Sequence, residues 1–164
     1  MRTATRTGAA RTTLIRAEII AGWYAAVTGS VPFTVADVRM FDDDVASRGL
    51  GMELLSVGDG RAVVRMTVTP SMVNGHAIAH GGYVFLLADT AFACACNSHG
   101  PVTVAAGADI TFARPVHEGE VLTAYAEERT RFGRSGVYDV TVKRVSGEVV
   151  AEFRGRSREV SERR

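Results

Sequence analysis

Gly81-Gly82-Tyr83-Val84-Phe85-Leu86-Leu87-Ala88-Asp89-Thr90-Ala91-Phe92-Ala93-Cys94-Ala95-Cys96 decides how the rest of this chain is read. The run is apolar almost all round, and a helix apolar on every face is a buried helix. Asp89 is its one charged side chain. A lone carboxylate there carries a desolvation cost of several kcal/mol unless something compensates it. Buried carboxylates are either satisfied structural groups or tuned chemical ones. His80-Gly81-Gly82, immediately upstream, points to chemistry.

The 164 residues suit one domain with an ordinary core, and 46% hydrophobic with 23% charged residues marks a soluble globular chain. A net charge of +1 gives no global reason to expect nucleic acid or an anionic membrane. Charge is nonetheless uneven: residues 36–128 hold five basic against twelve acidic side chains, residues 129–164 ten against five. The basic C-terminal quarter fits either a solvated strand face or contact with a phosphorylated small ligand. Cys94 and Cys96 point about 200° apart on a helix, so they neither pair nor chelate one metal. They suit a reducing, cytoplasmic compartment. No apolar run reaches the length of about 18 residues that a membrane span needs.

Outward from the helix, the pattern is β. Arg61–Thr69 alternates, with Ala62, Val64, Met66 and Val68 on one face, and pairs through Gly58-Asp59-Gly60 with 52–57. Strand-like runs follow at 102–112, 121–130, 136–145 and 149–158, separated by turn-rich segments. A single helix is expected over 37–49. Residues 1–35, with Arg2, Arg6, Arg11 and Arg16 among Thr and Ala, read as an extension with a short helix over 14–27. That composition resembles a targeting segment, but a disordered extension or an upstream start codon accounts for it more simply. The domain is expected over 36–160. One apolar helix among about six antiparallel strands is buried when the sheet curls around it, which is the α+β hotdog architecture.

The first turn of the helix offers amide donors without intrahelical partners at the positive end of the dipole. Such an end can hold a carbonyl oxygen that is becoming an oxyanion. Gly81 is the candidate donor, with Gly82 beside it as a substrate-binding position. Asp89 lies eight residues on, about 12 Å along the axis. One reacting carbonyl cannot touch both groups of the same helix. If both act on it, they come from two copies of the chain, so a homodimer with antiparallel helices is expected. Asn74 can bond a substrate carbonyl or a water, or simply form a turn. His80 can orient substrate or brace the loop. His76 and His80 have metal-ligand spacing, but the glycines break the helix that this needs and no third ligand is evident, so no metal is expected.

Met72-Val73-Asn74-Gly75-His76, the His80–Ala93 stretch, Asp109-Ile110-Thr111-Phe112-Ala113-Arg114-Pro115, Ser135-Gly136-Val137-Tyr138-Asp139 and Phe153-Arg154-Gly155 together resemble the phenylacetic-acid-degradation thioesterases, hotdog acyl-CoA hydrolases. The resemblance spans about residues 38–158. It implies that Asp89 is the catalytic carboxylate and Gly81 N–H the oxyanion donor, and that His80 and Asn74 place the thioester and the attacking water. It also implies sites shared across a dimer, dimers paired into a homotetramer, and coenzyme A contacts at Arg114, Arg134 and Ser135. Cys94 stands where family members often carry an aromatic residue. The expected reaction is hydrolysis of phenylacetyl-CoA or hydroxyphenylacetyl-CoA in aromatic catabolism, without a cofactor beyond the CoA of the substrate. The alternatives are a non-catalytic acyl-CoA-binding protein, which can dispense with the carboxylate, and an enoyl-CoA hydratase. The hydratase needs an Asp–His pair that His80 and Asp89, on one helix, do not form directly.

Overall fold

Hydrophobic patterning wraps a sheet around a helix, and the computed structural model, which describes residues 39–160, has that α+β hotdog arrangement. Two short helices, α1 (Arg39–Asp42) and α2 (Val45–Gly49), lead into β1 (Glu53–Gly58) and β2 (Arg61–Thr67). A single 3-10 turn (Pro70–Met72) precedes the central helix α3 (Gly81–Asn97). The strands β3 (Thr103–Phe112), β4 (Val121–Phe132), β5 (Ser135–Arg144) and β6 (Val149–Glu159) complete a six-stranded antiparallel sheet in the order β1-β2-β4-β5-β6-β3. The 1–35 extension and the helix over 14–27 lie outside the described residues.

The expected single helix over 37–49 is two pieces instead. Asp44 is extended and caps α2, its carboxylate accepting from the Ser47 amide at 3.0 Å and from the Ser47 hydroxyl at 2.6 Å. An aspartate with that geometry starts a helix rather than continuing one. Burial alone would raise the Asp44 pKa, but the hydrogen bonds from Ser47 and Ala46 hold it below the usual value. Ser47 Oγ in turn lies 2.9 Å from Thr90 Oγ1, so a buried hydrogen-bonded chain ties α2 to α3 beside Asp89.

Period-two alternation carries the sheet. On β6, Ala151, Phe153, Gly155 and Ser157 face inward while Glu152, Arg154, Arg156 and Arg158 face out. All six strands touch α3. The outer face is a lattice of ion pairs: Arg61–Glu127 at 2.9 Å, Arg154–Asp139 at 2.7 Å and Arg156–Asp109 at 2.7 Å. Of the C-terminal basic residues, Arg129, Arg144, Arg154 and Arg156 are held in ion pairs. The Arg154 guanidinium holds the Asp139 carboxyl below its ordinary pKa.

Among the described residues, a stripe of α3 and the β3 edge of the sheet are left open. On α3, Gly82, Leu86, Asp89, Ala93 and Asn97 follow one another at helical spacing and stay half-buried or exposed. At the sheet edge, β3 has β6 on one side only and exposes Val104 and Phe112. A long free edge of this kind is a template for pairing with another strand.

Close backbone approach sets the core beneath β6. An added Cβ on Gly155 would lie 2.7–2.8 Å from three carbons of the Phe92 ring, which stacks edge-on against Tyr138 at 5.5 Å. Gly155→Ala should therefore cost about 1–3 kcal/mol by overpacking, read as a lowered urea midpoint. Gly49→Ala, where the added carbon meets nothing within 4 Å, should stay within about 0.5 kcal/mol of the parent.

Candidate active site

The segment from Val73 to His80 is a tight excursion that returns on itself, with Val73 bridged to Ala79. The Asn74 amide donates to Ile78 O at 2.8 Å and the Ala77 amide to Asn74 O at 3.0 Å. Ala77 takes φ +58, a left-handed conformation that side chains other than Gly and Asn seldom adopt. Asn74 Oδ1 accepts from the His76 amide at 2.8 Å. This bond fixes the orientation of the carboxamide, so its Nδ2 is left as a donor with no acceptor among the described residues.

His80 is the N-cap of α3, with Nδ1 accepting from Gly82 N–H at 3.0 Å. That occupies the amide of Gly82, so the backbone donor expected there to meet substrate is already used. Gly81 N–H, by contrast, has no acceptor among the described residues. Gly81 and Asn74 line one cavity of about 450 Å³ with Ile78, Val84, Phe112 and Arg114. An added Cβ on Gly81 would lie 2.9 Å from Phe112 Cζ, so the absent side chain leaves the ring against the helix end.

The chemistry of this cavity is one-sided. It presents two spare donors, suited to a carbonyl oxygen that gains charge, and apolar walls suited to an acyl group. Among the described residues that line it there is no carboxylate, thiol or imidazole to activate or replace water. Asp89 is outside it, half-buried on the open stripe of α3, with no hydrogen-bond or ion-pair partner among the described residues. Burial raises the Asp89 pKa above its ordinary value. The Asp89 carboxylate and the spare Gly81 amide thus occupy one helix without sharing a cavity in the protomer.

The remaining expected contacts divide. Arg114 borders the Gly81 cavity and pairs through Nε with Glu148 at 2.5 Å. Arg134 and Ser135 sit with Cys96 and His99 in a shallow hollow at the other end of α3. A helix of 17 residues is about 25 Å long, so one protomer does not bring these two to Gly81. Arg134 donates to Glu159 O at 2.8 Å, and Ser135 Oγ accepts from Arg158 at 3.2 Å. Arg131, Arg134 and Arg158 have no carboxylate partner among the described residues, unlike the arginines of the outer lattice.

Two further features escaped the sequence. Phe112, quoted within a strand, is a wall of the cavity; its position just before Ala113-Arg114-Pro115, where β3 ends, was the available signal. At the far end of α3, Glu128 Oε2 accepts from Tyr138 O–H at 2.9 Å and lies 2.7 Å from His99 Nε2. Burial and the bond to Glu128 push the Tyr138 pKa up, as befits a structural clamp. Both cysteines are free and buried, and burial raises each thiol pKa to about 12, which leaves them inert.

Comparison with known proteins agrees with this geometry. The family model described as Thioesterase superfamily matches residues 76–151. The acyl-coenzyme A thioesterase PaaI of Escherichia coli is 46% identical over 121 residues, 74% of this chain and 86% of that protein. Its structure, from the phenylacetic acid degradation operon, is 45% identical with a TM-score of 0.74, covering 75% of this chain and 89% of that one. A thioesterase of Streptococcus pneumoniae TIGR4 solved with coenzyme A is 26% identical with a TM-score of 0.65, covering 69% and 91%. A helix-end amide over an apolar cavity, a carboxylate at mid-helix and this degree of identity lead to one conclusion: the chain belongs to the thioesterase superfamily, and is a thioester hydrolase.

Proposed function

We propose that this enzyme hydrolyses acyl-CoA thioesters, with phenylacetyl-CoA or hydroxyphenylacetyl-CoA as substrate, at a site completed by a second copy of the chain. The observation that carries the reading is the division found above, a cavity holding oxyanion donors but no base, and a partnerless carboxylate on an uncovered helix face. Antiparallel docking of two α3 stripes sets Asp89 of one copy opposite Gly81 of the other, and the free β3 edge offers the same partner a strand to pair with. The similarity to PaaI supports the acyl-CoA substrate and the aromatic acyl group.

In this reading Gly81 N–H and Asn74 Nδ2 polarise the thioester carbonyl. Asp89 acts as a general base on water or as the nucleophile of a transient anhydride. With the base, water adds to the carbonyl carbon as its proton passes to Asp89, and the C–S bond then breaks as that proton passes from Asp89 to the sulfur, releasing the CoA thiol and the free acid. With the nucleophile, the carboxylate displaces the CoA thiolate and water cleaves the anhydride. Only water and the chain's own backbone and side-chain groups are called upon. The Arg131, Arg134 and Arg158 guanidiniums, with Ser135, receive CoA phosphates, and Arg114 guards the cavity mouth. A cytoplasmic homotetramer belongs to the same proposal; among the described residues no helix is long and apolar enough to cross a membrane.

Asp89→Asn should lower kcat by a factor on the order of 10² or more, followed by thiol release from phenylacetyl-CoA. Hydrolysis at the parent rate would make Asp89 structural and sink the mechanism. A binding protein or a hydratase would release no thiol.

Two pH effects follow from the raised pKa of Asp89. The reactive form is ionised, so the acid limb of kcat/KM should lie above the ordinary aspartate range near about 4. For stability, a raised folded-state pKa favours the protonated protein, and that contribution is lost as pH rises through it. Asp89→Asn should therefore match or exceed the parent Tm at pH 7 while losing activity. A clear fall in Tm would indicate that the carboxylate holds the fold.

Arg134→Gln should raise KM for the CoA ester several-fold with kcat little changed, and the parent KM should itself rise with salt as the phosphate contacts are screened. An unchanged KM in both measurements would remove this end of the chain from the substrate.

A further inference from the structure

His80 has the appearance of a catalytic imidazole, next to the oxyanion amide and upstream of the carboxylate. Its bonds assign it elsewhere. We infer that His80 is a positioning residue that acts through the start of α3 and not on the substrate: its imidazole caps Gly82 N–H and so fixes Gly81 N–H as the donor that faces the carbonyl. This rests on the thioesterase reading above, and deepens it.

Three observations carry it. First, Nδ1 accepts from Gly82 N–H at 3.0 Å, which occupies the Nδ1 lone pair and requires the neutral ring to carry its proton on Nε2. While capping, that nitrogen cannot take a proton from water. Second, His80 is exposed and does not border the cavity, whereas Asn74, Ile78, Ala79 and Gly81 on either side do. Third, its backbone is pinned from both directions, the His80 amide donating to Met72 O at 2.8 Å and His80 O accepting from the Tyr83 amide at 2.9 Å. Extended at φ −63 and ψ 129, it has the geometry of an N-cap.

The two glycines then have separate reasons. An added Cβ on Gly82 would lie 3.2 Å from His80 Nδ1 and press on the cap, while one on Gly81 would meet Phe112. The bond from Gly82 N–H to the His80 ring closes a loop that spans the His80–Gly81 peptide, the unit that carries Gly81 N–H. The Gly81 donor is aimed by that closure. A preorganised donor needs no reorganisation when charge develops, which is the source of its catalytic value.

Capping is transferable between side chains, and imidazole chemistry is not. Asn and Ser are better N-caps than His by type, and neither can exchange protons near neutral pH. His80→Ala should lower kcat for phenylacetyl-CoA about tenfold or more with KM nearly unchanged, because the aim of the donor matters most in the transition state. His80→Asn and His80→Ser should bring kcat back to within a few-fold of the parent, with helix content unaltered in all three. Equal losses in the Ala, Asn and Ser variants would show that the imidazole acts on substrate and would overturn the inference, as would parent activity in His80→Ala. Imidazole ¹⁵N shifts of the parent enzyme test the same point without turnover: the Nε2–H tautomer with Nδ1 as acceptor is expected, and the Nδ1–H tautomer refutes the cap. Should the parent release no thiol from any ester, the thioesterase reading fails, while the tautomer still decides the cap.

Discussion

A straight, buried helix is a ruler, and this protein is organised by its length. The rise of about 1.5 Å per residue puts Asp89 about 12 Å from Gly81, and packing on all six strands prevents α3 from bending to shorten that distance. Neither group can be moved without repacking the core, because Leu87, Ala88, Ala91 and Phe92 around them are wholly buried. Within one protomer the cavity holds the spare donors and the open stripe of α3 holds the half-buried carboxylate, and the helix keeps the two apart.

Most of the fold was legible from sequence because periodicity and burial are the same fact seen twice. The clean alternation of Ala62, Val64 and Met66 is the inner face of β2, and the uninterrupted apolar run of 81–97 is α3. What failed was local and polar. The break between α1 and α2 depends on whether the Asp44 carboxylate bonds to Ser47 or to water, and Ser47 faces inward because Thr90 awaits it across the core. Nothing in one segment reveals a partner 43 residues away. Arg131 and Arg154 read alike as basic strand residues, yet only the fold decides which of them meets a carboxylate.

The site was half legible for the same reason. Residue types supplied the candidates, Asp89, Gly81, Asn74 and His80. Hydrogen bonds fixed the allocation. Gly82 differs from Gly81 by one bond, from its amide to His80 Nδ1, and that bond turns two apparently equivalent donors into one used and one spare. Asn74 is divided in the same way, its oxygen committed to His76 and its nitrogen left over. Composition cannot express a distinction between atoms of one side chain.

Asp89 shows what separating the carboxylate from the donors in one protomer does to its chemistry. A half-buried carboxylate without a partner is destabilising in the ionised form, and the raised pKa is the measure of that. If an arginine stood beside it in the protomer, the fold would gain, but the pKa would fall and the group would become a poorer base. If it sat in the Gly81 cavity, its charge would oppose the developing oxyanion wherever no proton or bond intervened. In the proposed dimer, its place on the open stripe lets it keep its basicity during folding and meet the donors where a second helix packs against the first. The cost in stability is confined to one residue, surrounded by a core of small and aromatic side chains that tolerates it.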